Sequence, residues 1–110
     1  MRRIGRPLSR GLLVGVASMV QLIATGAMAA RAADIELGRY LATECMTCHR
    51  VATGGAIPNI FGLAETTFAE LMRAYREKHL PNEVMRSIAS RLSDEDIAAL
   101  ALFFATTKKP

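Results

Sequence analysis

"ATECMTCHR", residues 42–50, holds both cysteines of this 110-residue chain and one of its two histidines. Cys45, Cys48 and His49 stand in the spacing C-x-x-C-H. Three chemistries use two cysteines so placed: a redox dithiol, half of a zinc site, and covalent attachment of haem. The sequence on either side has to decide among them.

Upstream, "IELGRYLATECMTCH" (35–49) reads as a helix that Asp34 can cap, with Ile35, Leu37, Leu41 and Cys45 recurring near helical spacing. Gly38 lies inside it, where glycine costs about 1 kcal/mol relative to alanine. A glycine there fits a close approach by another backbone, or a tolerated accident. Downstream, "RVATGGAIPNIFGLAET" (50–66) is loop, because Gly54-Gly55, Pro58-Asn59 and Gly62 break any helix. Ile57, Ile60, Phe61 and Leu63 make it an apolar loop, one packed against something.

Thr67 with Glu70 reads as a capping box opening "FAELMRAYREKHL" (68–80), whose Phe68, Leu71, Met72 and Tyr75 share a face and which Pro81-Asn82 ends. "EVMRSIAS" (83–90) gives a short helix. Ser93 with Asp96 reads as a second box, opening "DEDIAALALFFATT" (94–107) with Ile97, Leu100, Ala101 and Phe104 on one stripe. No strand pattern occurs, so the fold class is all-α, about four short helices.

The first thirty residues read differently. "MRRIGRPLSRG" (1–11) carries arginines 2, 3, 6 and 10 and no acid, and "LLVGVASMVQLIATGAMAA" (12–30) is apolar and rich in small residues. A basic region, an apolar region and an A-x-A end form a secretory signal peptide, residues 1–29, with a second site after 32. An uncleaved anchor is the other reading, diluted by Gly15, Ser18, Gln21, Thr25 and Gly26. The expectation is export to the periplasm and no membrane association after cleavage. The net charge of +4 then belongs to the leader, since residues 30–110 carry ten basic and ten acidic side chains. No basic stripe with interleaved aromatics remains for nucleic acid.

The remaining 30–110 domain is about 80 residues long, without tryptophan. So short a chain usually needs a staple beyond its own core. A thioredoxin-type C-x-x-C needs a βαβ context, absent here. Zinc needs four ligands, and adjacent Cys48 and His49 fit poorly on one tetrahedral ion. Haem c accounts for the whole motif. Cys45 and Cys48, i and i+3 on a helix, reach two vinyl groups, His49 reaches the iron, and the haem supplies the missing core. Candidates for a sixth ligand are Met85 first, then Met72 and His79, or an open site. Met72 reads as core and Met46, between the thioethers, cannot reach back.

With these pieces in place the chain resembles a class I c-type cytochrome, through "GRYLATECMTCH", the loop with "IPNI", the methionine in "NEVM" and "LSDEDIAALALFF". In pattern it is most similar to the small cytochrome subunit of flavocytochrome c sulfide dehydrogenase and related sulfur-oxidation cytochromes. The resemblance implies first and last helices crossing at Gly38, against Phe103 or Phe104. It also implies a Pro58 carbonyl accepting from the ligand histidine, and haem packing by Ile60 and Tyr75. Family members commonly have proline after the methionine; here Arg86 follows Met85. The implied function is a single-haem electron carrier, not an enzyme on its own, with redox partners such as a flavoprotein dehydrogenase. The alternative is a haem-based gas binder or sensor with an open sixth position.

Overall fold

The computed structural model describes residues 11–50 and 55–109, without the side chains of 11–23 and 33. The basic segment 1–10 and Gly54 of the expected loop break therefore lie outside the described residues. The described residues form four helices: α1 (Gly11–His49), α2 (Glu65–Arg76), α3 (Glu83–Ala89) and α4 (Asp94–Thr106). Among the described residues there is no strand, so the protein is all-α. It divides into two units, 1–31 and 32–110. The described part of the first is helical throughout. Among the described residues, no helix is long and apolar enough to cross a membrane.

The core of the second unit is built on α4. Seven of its residues, Ile97 and Ala99 to Phe104, are buried, so the helix is covered nearly all round rather than along the single stripe expected. Phe104 is fully buried, edge-on to Phe61 and Phe103 at 5.2 Å and stacked on Phe68 at 5.5 Å. Such aromatic pairs add about 0.5–1.5 kcal/mol each beyond their buried area. α1 meets the core along Gly38, Ala42, Cys45 and His49, a stripe at helical spacing, while Leu37 is partly solvent-facing. A β-carbon on Gly38 would overlap the Ala99 carbonyl and come within 2.8 Å of Phe103 Cβ. The crossing partner is thus Ala99 with Phe103, not Phe104, which faces the loop and α2 instead.

The loop between α1 and α2 is tied to α4. The Gly62 N–H donates to the Phe104 carbonyl at 2.8 Å, near the end of α4 where carbonyls lack helical partners. Gly62 has φ +80°, a conformation open to glycine at little cost. Asn59 Oδ1 accepts from Phe61 N at 3.2 Å, which folds the chain so that Phe61 turns inward. Phe61 is buried and Ile60 and Leu63 partly so, but Ile57 is 45% exposed, so among the described loop residues the apolar packing begins at Ile60.

Helix ends explain the remaining differences. α1 does not begin at Asp34: residues 27–33 are all Ala, Met or Arg, strong helix formers, and nothing stops the helix there. α2 begins at Glu65, so Thr67 is already helical and caps nothing; Ala64 is the N-cap, without a side-chain bond. It ends at Arg76, before Pro81-Asn82, in a Schellman motif: His79 N bonds Ala74 O at 2.8 Å and Lys78 N bonds Tyr75 O at 3.0 Å. Lys78 takes the left-handed position, φ 64°. Asn82 instead caps α3, accepting from Met85 N at 3.0 Å. On α2, Phe68, Ala69 and Met72 are buried, whereas Leu71 is 41% exposed. The Ser93–Asp96 box at the start of α4 is present in both directions, at 3.0 and 2.9 Å.

Candidate functional site

The C-terminal turn of α1 delivers the motif. Cys45 is partly buried, Cys48 is exposed, and both are free thiols. Burial first, and then the charge of Glu44, pushes the Cys45 thiol up to about 11. A redox dithiol needs the opposite, a thiol whose pKa is lowered so that it ionises readily. Its place near the C-terminal end of a helix also disfavours a thiolate, because the helix dipole is negative there. Zinc is no better served. Among the described residues no group of three or more His, Cys, Asp or Glu converges.

His49 is the last residue of α1 and only 8% exposed. Its Nδ1 lies 2.7 Å from the Pro58 carbonyl. A carbonyl only accepts, so Nδ1 carries the hydrogen. In the neutral ring Nε2 is then left with its lone pair free to bind a metal. The loop fixes this geometry: Pro58 is immediately followed by the Asn59–Phe61 turn, which the buried Phe61 ring anchors to Phe104.

Cys45, Met46, Ile60, Tyr75, Met85 and Leu92 are among the partly buried apolar residues packed against the core. Met85 is the third residue of α3, the short helix expected there. Met72 is 5% exposed inside the core of α2 and α4. His79 is turned outward, its side chain 71% exposed and 3.5 Å from Glu77. Of the sequence candidates, therefore, Cys45, Ile60, Tyr75 and Met85 pack against one core, while His49 is buried and touches Pro58.

Two further contacts hold the surroundings. Arg91 on the α3–α4 connection reaches Glu44 of α1 at 2.6 Å. Arg86, next to Met85, bonds the Leu80 carbonyl through Nε at 2.6 Å, the Lys78 carbonyl at 3.0 Å and Glu83 at 3.0 Å. The Glu83–Arg86 pair, i and i+3 on α3, is a local pattern, but the carbonyls that Arg86 reaches and the Glu44 that Arg91 reaches depend on how the connections fold.

No family model matches the chain. It is similar to a protein of Stutzerimonas stutzeri (strain A1501) named thiosulfate dehydrogenase electron acceptor, with 32% identity over 68 residues. The match takes in 56% of this chain and 32% of that protein, so the chain spans about a third of the length of the curated relative it matches.

Proposed function

We propose that this chain is an exported carrier of single electrons, holding one haem through thioethers to Cys45 and Cys48, with His49 and Met85 as axial ligands. The observation that carries the reading is the 2.7 Å contact between His49 Nδ1 and the Pro58 carbonyl. It prepares one buried imidazole for a metal, directly after two free thiols at thioether spacing. When bound, the haem supplies a one-electron couple between ferric and ferrous iron.

The chain's own residues account for the rest. The Pro58 carbonyl holds the His49 tautomer and raises the basicity of Nε2. The soft thioether of Met85 favours the ferrous state and raises the potential. Ile60 and Tyr75, half-buried against the core, would pack on the haem and keep water from it. With His49 and Met85 both holding the iron, no position would be left for a substrate, and the chain would act with an enzyme rather than as one.

The similarity to an electron acceptor of thiosulfate dehydrogenase supports a role in the oxidation of reduced sulfur. The partner we propose is a dehydrogenase for such a compound, a flavoprotein sulfide dehydrogenase in the first instance. Removal of residues 1–29, or of 1–32, would release the domain to the periplasm.

Expression with the leader, followed by acid–acetone extraction and an absorption spectrum, tests the reading. Haem that stays with the protein and a ferric sulfur-to-iron band in the far red are expected. Haem that extracts freely would overturn covalent attachment. A high-spin spectrum that shifts with CO or NO would favour the gas binder.

A further inference from the structure

The connection between α2 and α3, residues 77–82, leads directly into the turn that carries Met85. It has no helix of its own, and Pro81 can donate no backbone hydrogen bond. Two of its carbonyls, Lys78 and Leu80, accept from a side chain instead. Both accept from Arg86, at 3.0 and 2.6 Å, through different nitrogens of one guanidinium. A third nitrogen, Nη1, reaches Glu83 at 3.0 Å. The Arg86 side chain is only 27% exposed, so these bonds are partly shielded from water.

Arg86 is also the residue that follows Met85 on α3. The Met85 N–H is held on the other side by the Asn82 cap at 3.0 Å. Arg86 N donates to the Asn82 carbonyl at 2.9 Å, so cap, methionine and arginine form one first turn. The guanidinium ties that turn back to the loop that precedes it. A rigid fork with several donors can span separate carbonyls; an ammonium on a flexible stem is less pre-organised to do so.

We propose that Arg86 is a positioning residue for Met85: by locking the 78–83 backbone it holds the thioether in place and sets how readily an outside ligand displaces it. This rests on the reading of Met85 as an axial ligand. Losing Arg86 leaves two carbonyls without their charged donor. One such bond is enough to change a local opening equilibrium about tenfold. The affinity of a competing ligand scales with the fraction of molecules in which Met85 is away.

The experiment uses the haem-loaded protein with imidazole as the probe. Imidazole binding is followed through the shift of the main haem absorption in the wild type, Arg86→Ala, Arg86→Lys and Met85→Ala, with loss of the far-red band as a second readout wherever Met85 is present. Arg86→Ala should bind imidazole about tenfold or more tightly, with Arg86→Lys in between, while circular dichroism shows the helices intact. In a Met85→Ala background, Arg86→Ala should add nothing, since there is no thioether left to hold. Unchanged imidazole affinity in Arg86→Ala, with the band present in the wild type, would overturn the role of Arg86 and leave the axial reading standing. An equal gain in the Met85→Ala background would also overturn it, because Arg86 would then act on the whole pocket. A wild type without the far-red band would bring down the axial reading and this role together.

Discussion

Gly38 of α1 lies against the backbone of Ala99 on α4, so close that a β-carbon at 38 would overlap the Ala99 carbonyl. The neighbour is backbone, in a helix buried nearly all round, and cannot swing aside as a side chain would. Overpacking of this kind costs up to about 3 kcal/mol. Alanine returns about 1 kcal/mol in helix propensity. Gly38→Ala should therefore lose about 2 kcal/mol, read as a lower denaturant midpoint with an unchanged slope. A more stable variant would mean the two helices do not cross there.

Lys78 bears on stability in the opposite sense. A side chain in the left-handed region costs roughly 1–2 kcal/mol. Glycine removes that cost but gives back part through a more flexible unfolded chain. The backbone bonds of the Schellman motif, and the Lys78 carbonyl that Arg86 uses, do not depend on the side chain. Lys78→Gly should gain about 0.5–1 kcal/mol. Thermal melting checks it, and a loss of stability would show that the lysine side chain contributes more than its backbone strain costs.

Asp94 gives a pH signature. The hydrogen bond from Arg76 at 2.7 Å, then the charge of Arg76 and that of Arg73 at 3.7 Å, hold its carboxyl below its ordinary value of 3.8. A carboxyl depressed in the folded state adds stability that is present above 3.8 and fades as pH falls through its folded value. Asp94→Asn should therefore cost stability at neutral pH and lose that deficit progressively in acid below 3.8. The site is exposed, so the effect should be small and weakened by salt. Denaturation curves for both proteins across acid pH decide the matter. Parallel curves would mean the ion pair contributes nothing.

What could be read from the sequence was local. The Ser93–Asp96 box works because donor and acceptor lie within one turn and nothing upstream extends the helix. Thr67 and Glu70 offer the same pattern, but a cap requires non-helical backbone at its first residue, and α2 has already started at Glu65. The end of α2 was hidden because lysine, not glycine, occupies the left-handed position. In the site, the sequence brought Cys45, Cys48 and His49 together unaided. The 2.7 Å reach to Pro58 depends on a loop folded by the buried Phe61 ring, and only the family resemblance pointed to it. The reach of Arg86 to Lys78 and Leu80 gave no sign, since these partners are carbonyls of a connection without regular structure.

The two methionines offer the sharpest division between a ligand and a core residue. Met72 is 5% exposed among the buried residues of the core, and Met85 is half-buried on the first turn of α3. Met72→Leu keeps the volume and should cost under about 1.5 kcal/mol, with the potential unchanged. Met72→Ala leaves a cavity and should cost about 2–5 kcal/mol, again without moving the potential. Met85→Ala should behave in the reverse manner. On the proposed reading it removes a soft donor that favours ferrous iron, so the potential should fall and CO should gain access to the ferrous protein. Redox titration and CO binding of the three loaded variants are the measurements. If the potential follows residue 72 and not 85, the axial sulfur has been misassigned. If it follows neither, the sixth position is open or held by His79, whose exposed ring would first have to leave Glu77 and turn inward.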